Sequence, residues 1–199
     1  MNEWMKSDPE REDEIFDALY PPGIRALSAQ HWTPVSVARR AARFLAGKPE
    51  TRVLDIGCGA GKFCVVGALT TRGHFTGIEQ REHLVAAAAG VVASTNAPHV
   101  EIIHANIVEI EFSDFDAFYF YNPFAEHLSA SDRIDSSIVL SKSAHRRYTE
   151  FVAIQLAATP PGTRVACYWT DFRGADLGFE LLNPDPLDLL KFWVKQPHS

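Results

Sequence analysis

Cysteine is scarce: three residues in 199. Cys58, Cys64 and Cys167 have no zinc-ligand spacing, so they read as small buried thiols that fit a reducing compartment. Long apolar runs are missing too. No stretch approaches the roughly 20 apolar residues of a membrane span. The first 14 residues are polar and acidic, with no apolar core of the kind a signal peptide carries. These absences point to a cytoplasmic protein with no membrane partner. Positive charge is also in short supply. Lys and Arg number 19 against 25 Asp and Glu, a net charge of −6, which argues against a dedicated nucleic-acid binder. Two local basic clusters, Arg39-Arg40 with Arg43 and His145-Arg146-Arg147, fall on helical patterns. They lack the interleaved aromatics of a single-strand platform and read as solvated faces.

What is present is an ordinary globular composition, 46% hydrophobic and 22% charged, at a length that suits one domain. No internal repeat, linker or second domain is visible. Strand patterns cover Arg52–Ile56, His74–Ile78, Val100–His104, Phe115–Tyr121, Arg164–Trp169, Phe179–Leu182 and Leu189–Val194. Helical patterns cover Lys62–Thr71, Glu82–Ser94 and Lys142–Ala158. This alternation predicts an α/β fold, doubly wound around a mostly parallel sheet. The short Asn183–Pro186 connection suits an antiparallel final pair. An earlier helix should start with Thr33 as N-cap and Pro34 at its first position, carry Val37, Ala38, Ala41, Phe44 and Leu45 at helical spacing, and stop at Gly47. Residues 1–30 read as an N-terminal extension, partly ordered, with the first dozen residues loose. Ile15, Phe16 and Leu19 mark one short amphipathic segment before Tyr20-Pro21-Pro22-Gly23. The remainder, 31–199, reads as a single domain.

The most informative segment is Val53-Leu54-Asp55-Ile56-Gly57-Cys58-Gly59-Ala60-Gly61-Lys62-Phe63. A buried strand runs into a Gly-x-Gly-x-Gly turn and then a helix. The glycines allow a tight turn and close approach of backbone to a ligand. The helix start adds free N–H groups and the positive end of its dipole. A second strand ends in Glu79, 18 residues after Gly61, where an acid is placed to hold both hydroxyls of a ribose.

Leu54-Asp55-Ile56-Gly57-Cys58-Gly59-Ala60-Gly61 with Gly77-Ile78-Glu79 resembles the class I S-adenosylmethionine (SAM) dependent methyltransferases, from about Thr33 to Val194. The resemblance implies a Rossmann-like sheet of seven strands with the last antiparallel, and SAM as cofactor. It implies that Gly57, Cys58, Gly59 and Gly61 bring backbone to the cofactor. Asp55 would take its ammonium directly or through water, and Glu79 its ribose. Gln80 and Arg81 would flank the adenine, although a surface position suits them equally. After the third strand the family often carries an acid that contacts the adenine amine. Here Asn106 takes that place, keeping an acceptor oxygen without the charge, and Ile107 would cover an adenine face.

The fourth strand ends in Tyr121-Asn122-Pro123-Phe124, where a methyl acceptor would bind. This is similar to the Asn-Pro-Pro-Phe/Tyr motif of methyltransferases acting on planar amino groups, with one Pro fewer. It is also similar to the Asn-Phe segment of the non-SET histone-lysine enzymes. Asn122, Pro123 and Phe124 are therefore the expected catalytic residues. The favoured acceptor is a nitrogen of a small molecule or protein, with nucleic acid disfavoured and no metal required. His31, His104, His127 and His145 are general-base candidates by type, and His127, five residues after Asn122, is the first of them; Glu126 has the same standing. Tyr20, Trp32 and Tyr121 are candidate aromatic walls.

Two other readings stay open. A nucleotide-dependent oxidoreductase would use the same kind of fold, but its fingerprint is Gly-x-Gly-x-x-Gly, and here the third glycine comes one residue early. A non-catalytic binding module would keep the fold without turnover; the intact glycine turn and Glu79 weigh against it.

Overall fold

The computed structural model describes Trp4, Asp8 and residues 11–197. Its seven strands are β1 (Arg52–Ile56), β2 (His74–Glu79), β3 (Val100–His104), β4 (Ala117–Tyr121), β5 (Arg164–Tyr168), β6 (Phe179–Leu181) and β7 (Leu190–Lys195). They form one sheet in the order β3-β2-β1-β4-β5-β7-β6. The pairs from β3 across to β5 are parallel, and β7 runs antiparallel to both β5 and β6. The chain starts at β1, works outward to β3, then returns to lay β4 on the other side of β1. That reversal opens a crevice at the carboxyl ends of β1 and β4, where open α/β sheets bind ligands.

Central strands covered on both faces must be apolar throughout. β1 follows this: its last four residues are buried. One face of the sheet packs on α4 (Val35–Leu45), α5 (Lys62–Thr70) and α6 (Glu82–Thr95), with Val53, Phe75 and Tyr119 in that layer. Phe63 of α5 stacks on Tyr119 at 3.8 Å and 12°, an arrangement that contributes about 1 kcal/mol beyond area burial. The other face, with Leu54, Phe118 and Val165, packs on α7 (Lys142–Ala157) and short 3-10 turns. Among the described residues no helix is long and apolar enough to cross a membrane.

Three short helices precede this core: α1 (Glu12–Asp17), α2 (Pro22–Arg25) and α3 (Ser28–His31). The expected looseness of the first dozen residues falls mostly outside the described residues. Trp4 is buried and meets Phe16 edge-on at 5.1 Å. Lys62, the first residue of α5, has its ammonium buried between Asp13 (2.5 Å) and Asp17 (2.6 Å), so the turn that follows β1 is bolted to α1. Burial outweighs those bonds at Asp17 and raises its pKa.

Three local expectations are corrected. Thr33 does not cap α4: Pro34 holds the cap position, Asp13 Oδ1 accepts the Val35 N–H at 2.9 Å, and the Thr33 hydroxyl bonds the Tyr119 hydroxyl at 2.7 Å. A tertiary carboxylate has replaced the local cap. β4 begins two residues later than its aromatic run, because Phe112–Asp114 form a 3-10 turn closed by the Phe115 N–H on the Phe112 carbonyl. The Arg39-Arg40 pair is not simply solvated, since Arg39 binds Glu12 at 2.8 Å and Arg40 binds Asp188 at 2.7 Å.

Candidate cofactor and acceptor site

The glycine turn leaves β1 with Gly57 at φ +73°, Gly59 at +54° and Gly61 at +77°, a left-handed conformation that disfavours any side chain. The three glycines serve different ends. A Cβ on Gly57 would lie 2.8 Å from Pro123 Cβ, so this position lets the β4 loop close over the β1 turn. A Cβ on Gly61 would lie 2.9 Å from Ala88 Cβ, so this one lets α5 and α6 meet. Gly59 faces open space, and its N–H donates to Glu79 Oε2 at 3.2 Å.

In the crevice between the β1, β2, β3 and β4 tips lies a cavity of about 440 Å3. Gly57, Gly59, Glu79, Gln80, Asn106, Ile107, Asn122, Pro123 and Phe124 all line it. Of the sequence-derived candidates, Asp55, Cys58 and Gly61 do not. Asp55 sits just beneath, almost fully buried, and Cys64 Sγ donates to its Oδ2 at 3.5 Å. Desolvation, with a smaller push from Glu79, moves its pKa up to about 8 against the Cys64 bond. Cys58 points toward β2, where only the missing Cβ of Gly77 leaves it room: a Cβ there would lie 2.6 Å from its sulfur.

Glu79 is held by the backbone. Oε1 accepts the Arg81 N–H at 2.8 Å and Oε2 the Gly59 N–H. Burial raises its pKa and these bonds oppose the rise. Each carboxylate oxygen keeps acceptor capacity toward the cavity. Asn106 donates from Nδ2 to the Tyr148 hydroxyl at 2.8 Å, while its Oδ1 accepts the Val108 N–H at 3.3 Å and retains a lone pair. Arg81 is not a surface residue. Its side chain is buried, 2.6 Å from Glu126, 3.2 Å from Asp135 and 3.8 Å from Glu79. It ties the β2 tip to the segment after β4. Those partners lie 45 and 54 residues away in sequence, which is why no local pattern marked it.

The other end of the cavity is aromatic. Trp32, Tyr121, Phe124, Tyr148 and Trp169 line it, together with His31, Glu126 and Asp132. Tyr121 donates its hydroxyl proton to the Gln30 carbonyl at 3.0 Å, fixing α3 as one wall. Asn122 and Trp169, at the tips of adjacent strands β4 and β5, both have positive φ, +40° and +46°. Such conformations cost about 1–3 kcal/mol each and persist only where surrounding bonds hold them.

Three candidates are placed otherwise than expected. His127 turns away from the cavity: its Nδ1 accepts the Ser141 N–H at 3.1 Å at the start of α7, and it is buried against Tyr148. Tyr20 is not a cavity wall but a core residue whose hydroxyl binds the Ala60 carbonyl at 2.9 Å. Glu126 reaches the cavity but is taken up by Arg81. The histidine that does line the cavity is His31, whose pKa is lowered by burial and partly restored by Glu126 and Asp132.

Comparison with known proteins agrees with this fold. A family model described as a methyltransferase domain matches residues 47–142, from just before β1 to the start of α7. O-methyltransferase rstn1 of Aspergillus nomiae is 32% identical over 115 residues, 56% of this chain. The chain spans only 44% of that relative's length. An RNA methyltransferase from Salinibacter ruber in complex with S-adenosyl-L-homocysteine has a similar fold (TM-score 0.58, 20% identity, 84% of this chain and 95% of that one). So does a SAM-dependent O-methyltransferase from Thermotoga maritima (TM-score 0.57, 17% identity, 90% of this chain and 73% of that one). Residues 47–142 thus match a methyltransferase domain, and the seven-stranded order, the reversed last-numbered strand and the glycine turn facing Glu79 are those of the class I SAM-dependent methyltransferase fold, with SAM as the cofactor.

Proposed function

We propose that this protein transfers the methyl group of SAM to a nucleophilic atom of a small molecule or protein side chain, nitrogen being favoured. The reading is supported above all by the continuity of one cavity, lined by Gly59 and Glu79 in one part and by Asn122, Pro123 and Phe124 in another. The residues suit the cofactor. Three carboxylates and a single Arg line the cavity, a balance that favours a sulfonium cation. Glu79 would hold the ribose, Asn106 Oδ1 and Ile107 the adenine, and Gln80 its edge. Asp55, lying beneath the turn, would act on the ammonium through the backbone of Gly57–Gly61 or through water. In this reading residues 31–199 form the transferase domain, and residues 1–30 an extension whose Leu27, Ala29 and Gln30 complete the cavity wall.

SAM supplies an electrophilic methyl carbon whose bond to sulfur breaks as the bond to the acceptor forms. The protein's task is to align the acceptor and exclude water. Asn122 is suited to it, because its left-handed backbone and the Thr170 contact at its N–H fix where the side chain starts. Its amide oxygen accepts an acceptor N–H and leaves the nitrogen lone pair directed at the methyl group.

An oxygen acceptor is the second reading. His31 favours it: an imidazole with a lowered pKa is neutral at pH 7 and able to take a hydroxyl proton. The partial similarity to an O-methyltransferase points the same way. The test is isotope-labelled SAM with cell extract, followed by identification of the labelled product. Asn122→Ala should lower transfer about a hundredfold with SAM affinity unchanged, as misplacement of a reacting group does. Unchanged turnover in that variant would remove Asn122 from the acceptor site.

A further inference from the structure

Trp169 has the largest side chain of any residue type, yet the residue is 61% exposed and its backbone is left-handed at φ +46°. Bulky residues rarely adopt that region, and Trp169 belongs to neither of the two core clusters. The backbone around it is nonetheless held firmly. The Trp169 N–H donates to the Leu189 carbonyl at 3.0 Å. The next residue, Thr170, donates its hydroxyl proton to the Tyr168 carbonyl at 2.8 Å and accepts the Asn122 N–H at 2.7 Å. A rigid, strained support thus presents an uncovered indole at the cavity beside Asn122. Tyr168 braces it edge-on at 6.5 Å, and Tyr121 in turn meets Tyr168 at 5.0 Å.

Charge narrows what can bind there. The cavity's lone Arg, Arg81, is already bound to Glu126 and Asp135 and close to Glu79, so it has little left for a ligand anion. Asp132 adds a further negative charge at the acceptor end. An acceptor bearing a carboxylate or phosphate would meet Glu126 and Asp132 at this end and find no side-chain guanidinium or ammonium free to pair with it.

We infer that Trp169 is the acceptor-recognition platform, and that the acceptor is a planar aromatic or heteroaromatic small molecule without acidic groups, stacked on the indole with its nucleophilic atom toward Asn122. This inference rests on the proposed methyl transfer and specifies its substrate class. Stacking on a rigid indole gives affinity with little loss of side-chain freedom, and it holds a flat ring in one plane.

The experiment uses the full chain with labelled SAM and a panel of neutral phenols and aminoarenes, size-matched aliphatic alcohols and amines, and carboxylated versions of the same arenes. The neutral planar members should be methylated about tenfold or more better than either comparison set, the difference appearing in kcat/KM. Trp169→Ala should raise KM for them about tenfold while kcat falls less, and Trp169→Phe, which keeps an aromatic face, should recover most of the loss. Calorimetric SAM affinity should be the same in all three proteins. Equal use of the aliphatic set, or an unmoved KM in Trp169→Ala, would overturn the inference while leaving methyl transfer intact. If no panel member is methylated, binding decides. With the protein saturated by S-adenosylhomocysteine, neutral planar compounds should shield tryptophan emission from acrylamide. Trp4 is buried, Trp193 lies on β7 outside the cavity lining, and Trp32 is only 9% exposed, so most of the shielded fraction should be lost in Trp169→Phe. Absence of shielding in the wild type would also overturn the inference.

Discussion

Thr170 holds Asn122: the Asn122 N–H donates to the Thr170 hydroxyl at 2.7 Å, and that hydroxyl passes its own proton to the Tyr168 carbonyl at 2.8 Å. The tips of β4 and β5 are latched by this side chain, one residue beyond a strained Trp and directly at a strained Asn. Thr170→Val keeps the shape and removes the acceptor. It should destabilise the protein by about 1 kcal/mol, the usual net worth of one hydrogen bond. Transfer should suffer more than stability does, because Asn122 loses its fixed start, while Thr170→Ser should behave as wild type. Melting curves and turnover compared across the two variants check this.

Glu79 carries two backbone N–H groups and faces the cavity. Glu79→Ala leaves both donors without their acceptor and removes the proposed ribose partner. SAM affinity measured by calorimetry should fall at least about tenfold, equivalent to about 1.4 kcal/mol. Glu79→Gln, which keeps one acceptor oxygen, should fall between. Equal binding in all three proteins would place the ribose elsewhere.

Asp55, in the proposed role, should make cofactor binding depend on pH. Its folded pKa is about 8, raised chiefly by desolvation, while its ordinary value is near 4 (about 3.9). The sign follows from proton counts. Between those values the native state binds the proton more tightly than the unfolded chain. The contribution of Asp55 to stability is therefore fullest below about pH 4 and is lost as pH rises toward about 8. A SAM ammonium acting on Asp55 would favour the carboxylate. Binding near pH 7 should then release a proton, and affinity should rise with pH up to about 8. Calorimetry in two buffers of different ionisation enthalpy would show the release as a buffer-dependent heat. In Asp55→Asn the two heats should agree.

Gly57 and Pro123 are in contact only because Gly57 has no side chain. Gly57→Ala combines φ +73° with a Cβ 2.8 Å from Pro123 Cβ. The expected loss is about 1–3 kcal/mol of stability. Displacement of Pro123 should carry Asn122 with it, so turnover should drop even at temperatures where the variant is folded. Gly23→Ala is the control, since Gly23 has no positive φ and open space around it.

Arg81 holds the segment after β4 through Glu126 and Asp135. Removing one partner of a buried pair typically costs about 3–5 kcal/mol, and the part-exposed Asp135 brings the expectation for Arg81→Met toward the lower figure. The segment around Arg133 should become sensitive to limited proteolysis. Arg81→Lys keeps the charge but cannot span both carboxylates, and should be intermediate. Resistance of Arg81→Met to proteolysis at this segment would show that other contacts hold it.

The element order, the glycine turn and the acids at the ends of β1 and β2 were legible in the sequence because each has a local cause. A buried parallel strand must be apolar, a left-handed turn needs glycine, and strand and helix periods differ. The position of β3 was read to the residue, and the family resemblance supplied a single sheet of seven strands with the last antiparallel, which local patterns cannot give. Residues that depend on partners far along the chain were misplaced or missed. Thr33 looked like a helix cap, but Asp13 took that role and freed it for Tyr119. His127 stood close to Asn122 in sequence but rotated toward α7, whereas His31, 91 residues before Asn122, arrived in the cavity on α3. Arg81 was as plausible on the surface as inside until Glu126 and Asp135 came to meet it. Period, turn chemistry and local propensity act within a few residues and are written into the sequence. Which side chains share a cavity, and which charges neutralise one another, is settled only when the sheet brings separate strand tips together.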